Sequence, residues 1–413
     1  MKIKKVRLEN FRGFEGVHEF ELHSDHINVI IGANGAGKTS ILDAISYPFF
    51  AVFSGSGNMY RQFVGKDVDK WRNKKDHRPD ISYSAMQTEI KLFLSHSNKD
   101  VYFTYSFKED KNYSSLEGKF QPKNYEFSDN PVFKKYNNRR ELQTNEHYNH
   151  KSFSYWLKEQ INIQNNEIVK KLKTSESIDR VSNYQIPSTS IISEALNTFM
   201  TNLTDNKFLS VITDKSNYKN ELVLFIEKEN GEKVEYSQLS SGEKAVFGIL
   251  LEIAKDSFHY NENSNNSLHT PGIVLIDEIE LHLHPKWQTS ILQALNKTFP
   301  NIQFIVTTHS PLVINHLKNE NLILLDDFKI TEGINVQSVY GKDVNSIITD
   351  FMGASAKPKE VENLINDIEV LLDEEKPNIN LAKEKLNALK QLVDPNESEV
   401  LKLETLITIE EKD

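Results

Sequence analysis

The sequence predicts an α/β fold: a mixed sheet with helices, an inserted helical lobe and a C-terminal helical appendage. Three observations predict it. INVIIG is a short apolar run that stops at glycines and gives way to KTSILDAISYPFF, apolar at helical spacing. That order reads as a buried strand, a tight turn and a helix. Later, GIVLI, WQTSILQALNKTF and NIQFIVTT repeat strand, helix and strand, the alternation of an α/β sheet. Beyond them the apolar residues recur at helical spacing.

Taken in order, KKVRLENF and HEFEL alternate as half-buried strands do, before the buried strand INVIIG. QTEIKLFL and VYFTYSF alternate again and suggest an antiparallel sheet. Residues 106–205 are rich in Asn, Ser, Lys and Tyr, with helical spacing near Phe153–Leu172 and Ser193–Leu203, and read as the inserted, largely helical lobe. ELVLFIE and EKVEY return to strands, a helix begins near Ser241, and NENSNNS is a polar loop. In the tail, three apolar series begin at Val361, Leu381 and Val400. Asp394-Pro395 with Glu397 suits the start of the third tail helix: an acceptor, a first-turn proline and an acid near the positive helix end. These patterns give 1–105 and 206–345 as the two parts of one nucleotide domain, 106–205 as the insertion, and 346–413 as the acidic appendage.

The chain has 413 residues, 38% hydrophobic and 26% charged, a composition for a folded globular protein. Its N-terminus, MKIKKVRLENFRGF, lacks the apolar core of a signal peptide, and its apolar runs are too short to span a bilayer. A cytoplasmic location with no membrane partner is expected. With no cysteine, this chain has no disulfide, thiolate zinc site or thiol nucleophile. The net charge of −10 is concentrated: from Glu360 to Asp413 fifteen acids face six lysines. The acidic total therefore neither excludes nucleic acid nor supports it.

GANGAGKT, Gly32–Thr39, matches G-x-x-x-x-G-K-[ST] in full, between an apolar strand and a helix. In such a loop the backbone N–H groups of Gly32, Ala33, Asn34, Gly35, Ala36 and Gly37 wrap phosphates, and the helix start, with Ser40, adds its dipole. Lys38 reaches the β- and γ-phosphates, and the Thr39 hydroxyl ligates Mg²⁺. GIVLIDE is four apolar residues followed by two acids. After a phosphate loop it reads as a strand delivering Asp277 to Mg²⁺ and Glu278 to the attacking water (Walker B). LSSGEK opens a helix, and Ser240 with Glu243 makes a capping box. In TTHSP, His309 at a strand end is either structural or a γ-phosphate sensor that holds the attacking water; its place after the other motifs favours the sensor. Arg12, in ENFRGF, is a surface charge by default.

The order of motifs, from ENFRGF and GANGAGKTS through LSSGEK to LIDEIELHLHP and TTHSP, is similar to that of the RecF/OLD/SMC-like ATPases of the ABC superfamily. It covers about residues 1–60 and 220–325. DVNSIITDFMGASAKP and the tail with DPNESEVLKLETLI resemble more particularly the ATPase component of Septu-type antiphage systems (the PtuA family) and its retron-associated relatives. The resemblance implies an ABC-type P-loop NTPase that binds and hydrolyses ATP with Mg²⁺. It implies a head-to-tail dimer around two ATP molecules, or a higher oligomer. It further implies control of an HNH-type nuclease, PtuB, and in the retron version a reverse transcriptase with its RNA–DNA product. Ser240, Ser241, Gly242 and Glu243 then correspond to the signature LSGGQ, which covers the γ-phosphate held by the other subunit. Ser241 stands for its first glycine and Glu243 for its glutamine, nearer the SMC/RecF side than transporters. Arg12 would approach the nucleotide. No sustained heptads lie between Lys38 and Ser240, so a long coiled coil is not expected.

Other readings compete. An OLD-type nuclease needs a Toprim domain, and LLDDF, its one Toprim-like fragment here, is explained more simply as a strand running into a turn. A RecF-type repair ATPase would hold DNA. KDVDKWRNKKDHR, 66–78, has seven basic residues but three acids between them, the pattern of a solvated face. The glutamine that joins the metal in ABC enzymes is not placed; Gln87 and Gln143 are candidates, with Asn137–Arg140 in the same region. Finally, His282 and His284 in IDEIELHLHPKW could pair on a metal. The surrounding motifs assign HLHP instead to the segment where chains of an ABC dimer touch, with His284 as a subunit contact.

Overall fold

The computed structural model describes residues 2–25, 27–53, 87–96, 99–108, 132–137, 149–173, 186–203, 208–215, 222–260, 267–334, 336–355, 357–373 and 377–411. The chain forms two compact units, Met1–Lys342 and Asp343–Asp413. Gln143, 66–78 and Asn138–Arg140 lie outside the described residues.

The first unit is built on two main sheets. β1 (Lys2–Phe11) pairs antiparallel with β2 (Phe14–Glu21) and with β4 (Gln87–His96), which pairs with β5 (Lys99–Lys108). The alternation read in KKVRLENF is realised: Val6, Leu8 and Phe11 are buried, while Lys5, Arg7 and Glu9 are partly exposed. The second sheet surrounds β3 (Asn28–Gly32). Its order is β13-β12-β3-β11-β10-β6, with β6 at Val132–Asn137, β10 at Gly272–Asp277, β11 at Ile302–Thr307, β12 at Asn321–Asp326 and β13 at Lys329–Ile334. All neighbours in it are parallel except β12 and β13, so the sheet is mixed. β3, β10 and β11 are buried along their whole length, which is why β3 and β10 read as continuous apolar runs rather than alternating ones.

Helix α1 (Lys38–Phe53) shares one core with both sheets. Ile41, Leu42, Ala44 and Ile45 join Val6 and Leu8 of β1, Ile90 and Leu92 of β4, and Ile273, Ile305 and Ile323 of the central sheet. Each fully buried side chain of this kind contributes about 1.5–3 kcal/mol of hydrophobic stabilisation. A polar bridge also joins the sheets: the Gln303 side chain on β11 accepts from Ile3 N at 2.7 Å and donates to Ile3 O at 2.8 Å.

A smaller antiparallel sheet comprises β7 (Phe208–Lys215), β8 (Leu222–Lys228) and β9 (Lys233–Glu235). Among the described residues, the further α-helices of this unit are α2 (Asn149–Lys173), α3 (Pro187–Leu203), α4 (Ser241–Tyr260), α5 (Pro285–Gln288), α6 (Ile291–Thr298) and α7 (Pro311–Ile314). Two features differ from the sequence expectation. Within 106–205, β6 is not helical; it pairs with β10 and extends the central sheet. WQTSILQALNKTF is not one helix but α5 and α6, parted at Thr289–Ser290. There the Thr289 hydroxyl donates to Lys286 O at 2.8 Å, a local bond that competes with the helical ladder.

The second unit begins with α8 (Val344–Met352), capped by Asp343, whose carboxylate accepts from Asn345 N and Ser346 N, and closed by Gly353 at φ 61°. Helices α9 (Lys359–Leu372), α10 (Ile379–Leu392) and α11 (Ser398–Glu410) bury Val361, Ile365, Ile368, Ala382, Leu386, Leu389, Val400, Leu403 and Ile407 against one another. α11 starts at Ser398, later than the Asp394-Pro395 start expected. Asp394 instead accepts from Asn396 N at 2.9 Å in a turn, a closure open to Asp next to Pro in a loop. Among the described residues, no helix is long and apolar enough to cross a membrane.

Candidate nucleotide site

Three loops leave the C-terminal ends of β3, β10 and β11, adjacent parallel strands in the order β3-β11-β10. Ligands of open α/β sheets gather outside such strand ends. The first loop is Gly32–Gly37, leading into α1 at Lys38. It needs glycine for space as well as for backbone angle. A Cβ on Gly32 (φ 148°) would lie 2.2 Å from Leu325 O of β12, and one on Gly37 (φ 104°) 2.8 Å from the Phe328 ring. Ala33, Asn34 and Gly35 form the exposed arch, Ala36 is buried, and Phe328 N donates to Ala36 O at 3.2 Å. LLDDF is therefore the end of β12 and the turn at Asp327–Phe328, and that turn backs the loop. Lys38 is buried, and its ammonium donates to Gly32 O at 2.8 Å and Ala33 O at 2.9 Å, inside the arch.

Asp277, at the end of β10, joins the other two loops. Its Oδ2 accepts from the Thr39 hydroxyl at 2.9 Å, and its Oδ1 accepts from the Thr307 hydroxyl at 2.6 Å. Thr307 also accepts from Glu278 N at 2.8 Å. A buried carboxylate with a hydroxyl on each oxygen still has lone pairs to spare, and a carboxylate beside a hydroxyl is a hard-oxygen set suited to Mg²⁺. Glu278 is buried and takes φ 54°, a left-handed conformation costly for a residue with a Cβ. His309 is half-buried; its N–H donates to Glu280 Oε1 at 2.6 Å, and the neighbouring Thr308 hydroxyl donates to Glu280 Oε2 at 2.7 Å.

Arg12 also has a positive φ, 56°, and turns to the first turns of α1. Its guanidinium donates to Ser40 Oγ at 3.2 Å and pairs with Asp43 at 2.5 Å. The structure thus brings together Gly32–Ser40, Arg12, Asp277 and Glu278. Ser240–Glu243 are placed elsewhere, at the start of α4. There the capping box forms: Glu243 N donates to Ser240 Oγ at 3.3 Å, and Ser240 N to Glu243 Oε2 at 2.8 Å. Ser241 is the first helical residue, and Gly242 lies against the HLHP segment, since a Cβ there would come within 2.2 Å of His282 O. His284 caps α5, its Nδ1 accepting from Lys286 N at 3.2 Å. Among the described residues, no group of three or more His, Asp or Glu side chains converges on one point.

Sequence reading did not assign a role to Thr307, Glu280 or Gln288. Thr307 and Glu280 stand inside quoted motifs, TTHSP and DEIE, and hydroxyl and carboxyl groups flanking Asp277 were the available signal. Gln288 donates to Leu283 O at 3.0 Å and accepts from Ser310 Oγ at 2.6 Å, a link across 22 residues that its place in the sequence does not announce. Gln87 opens β4 opposite Lys108.

The chain is 29% identical over 411 residues to the Retron Ec83 probable ATPase of Escherichia coli, covering 81% of this chain and 74% of that protein. It is 32% identical over 163 residues to the Septu protein PtuA of Bacillus thuringiensis, covering 37% of this chain and 40% of that one. Among solved structures it is similar to an SMC head domain from Thermotoga maritima, at a TM-score of 0.43 and 16% identity over 80% of this chain and 99% of that chain. The family model described as "AAA domain, putative AbiEii toxin, Type IV TA system" matches residues 27–315. That span covers more than half of the chain, from the phosphate loop to the histidine loop, so the chain belongs to this AAA-domain family, and it is an ATPase.

Proposed function

We propose that the protein is the ATP-binding and ATP-hydrolysing regulatory subunit of an antiphage defence complex. It closes head to tail with a second copy around ATP and thereby controls a partner effector. One observation carries the nucleotide part of this reading: Lys38, Thr39, Asp277 and Glu278 meet at the ends of β3 and β10. Lys38 exchanges its carbonyl partners for β- and γ-phosphate oxygens, and the N–H groups of Gly32–Gly37, with Thr39 and Ser40 at the start of α1, hold the phosphate chain. Thr39 and Asp277 hold Mg²⁺, which when bound neutralises phosphate charge. Glu278 takes the proton of the attacking water, and His309 senses the γ-phosphate. Arg12 steadies the first turns of α1 through Ser40 and Asp43. Ser240–Glu243, bonded among themselves and seated on the HLHP backbone, form the face offered to the ATP of the second copy.

Relatives named as a retron ATPase and as Septu PtuA support a place in defence. By the same kinship the effector is an HNH-type nuclease, PtuB, and in a retron setting a reverse transcriptase with its RNA–DNA product joins it. The dimer is tested by the mass in solution of the Glu278→Gln protein. Mg²⁺-ATP should double it and ADP should not. An unchanged mass with ATP would remove the head-to-tail reading, and failure to co-purify with a nuclease encoded beside it would remove the partner.

A further inference from the structure

The third acid of IDEIELHLHP has none of the phosphate or metal roles above. Glu280 follows the end of β10, yet its carboxylate reaches the loop after β11, which runs alongside. Oε1 accepts from the His309 N–H at 2.6 Å and Oε2 from the Thr308 hydroxyl at 2.7 Å. Thr308 is fixed in turn: its N–H donates to Ile30 O at 3.1 Å, and its hydroxyl oxygen accepts from Ser310 N at 3.0 Å. A second link runs from the same segment. Leu283 O accepts from Gln288 Nε2, and Gln288 Oε1 accepts from the Ser310 hydroxyl. Residues 280–288 therefore grip 308–310 at both ends, with His309 between the grips.

A carboxylate is an expensive way to make a merely structural bond here. Burial pushes the Glu280 carboxyl above the usual range, and the Glu278 carboxylate adds to the rise, against the lowering by the His309 N–H and the Thr308 hydroxyl. What a carboxylate offers is two acceptor oxygens on one planar group; a glutamine offers one. The two donors belong to consecutive residues, so the pair of bonds fixes both the position and the tilt of the peptide that carries the imidazole.

We infer that Glu280 is a positioning residue for ATP hydrolysis: it sets the His309 peptide, and so the ring, relative to Asp277 and Glu278, and couples the ring to the HLHP segment. The inference rests on the reading of His309 as the γ-phosphate sensor. The test uses the full chain with Glu280→Ala, Glu280→Gln, His309→Ala and the Glu280→Ala/His309→Ala double variant. It reads kcat, KM and ATP affinity from phosphate release and equilibrium binding. Glu280→Ala should lower kcat about 10- to 100-fold, the scale of a displacement of about 1 Å at a reacting centre, and leave ATP affinity unchanged. Glu280→Gln should recover part of that loss. Because Glu280 acts through His309, the double variant should be no slower than His309→Ala alone.

Wild-type kcat in Glu280→Ala beside a slow His309→Ala would overturn the inference and leave His309 standing. Losses that multiply in the double variant would overturn it as well, since they mean an independent, structural contribution. Wild-type kcat in His309→Ala would remove the reading beneath both. If the alanine variant does not fold, the isosteric Glu280→Gln decides alone: reduced kcat with unchanged ATP affinity supports the inference, and wild-type kcat refutes it.

Discussion

The Thr39 hydroxyl donates to Asp277 Oδ2 at 2.9 Å, across a separation of 238 residues. That bond joins the helix after the phosphate loop to the end of β10. The Thr307 hydroxyl on Asp277 Oδ1 adds a second strand end, so one carboxylate ties the start of α1 to the ends of β10 and β11. The candidate metal ligands are thus oriented by the fold itself.

Thr307→Val removes the donor to Asp277 Oδ1 and the acceptor for Glu278 N at nearly constant shape. Loss of such an outer partner of a metal ligand typically costs about 10- to 100-fold in metal affinity. The Mg²⁺ concentration for half-maximal phosphate release should rise by that amount. An unshifted Mg²⁺ titration would separate Thr307 from the metal site.

Lys38→Ala should weaken ATP binding by about 10- to 100-fold, corresponding to one charge-assisted bond at about 1.5–3 kcal/mol. Folding stability should change less, because the Gly32 and Ala33 carbonyls that the ammonium holds belong to its own loop. Equilibrium binding of a fluorescent ATP analogue, with a thermal melt alongside, distinguishes the two effects.

Gly242→Ala places a methyl group 2.2 Å from His282 O, a backbone atom that cannot swing aside. The expected cost is about 1–3 kcal/mol of stability, the range for overpacking, with displacement of the HLHP segment. Thermal unfolding should show it, and Ser241→Ala, one residue away, should not.

Much of this was legible in the sequence. β3 and β10 are buried on both faces, and that burial writes itself as apolar runs ended by glycine or by acids; β11 is equally buried but carries Gln303 and ends in Thr307. The phosphate loop was readable because its glycines answer to backbone demands, visible at Gly32 and Gly37. β6 was not, since Lys134 and Lys135 make VFKKYN look polar and its place in the sheet depends on pairing with distant β10. The break at Thr289–Ser290 was hidden because the apolar spacing of WQTSILQALNKTF runs through it. Glu280 was visible as a letter but not as a link, because its partners lie on another strand's loop. For LSSGEK the capping box is formed, and the reading of the same residues as a signature does not exclude it.

The central claim is that Glu278 activates water at a site built by Lys38, Thr39 and Asp277. Steady-state phosphate release by wild type and by Glu278→Gln, with ATP affinity measured on both, tests it most directly. The account predicts unchanged ATP affinity and a loss of turnover on the order of 10²–10⁴, the usual contribution of a positioned general base. Near-wild-type turnover by Glu278→Gln would contradict it.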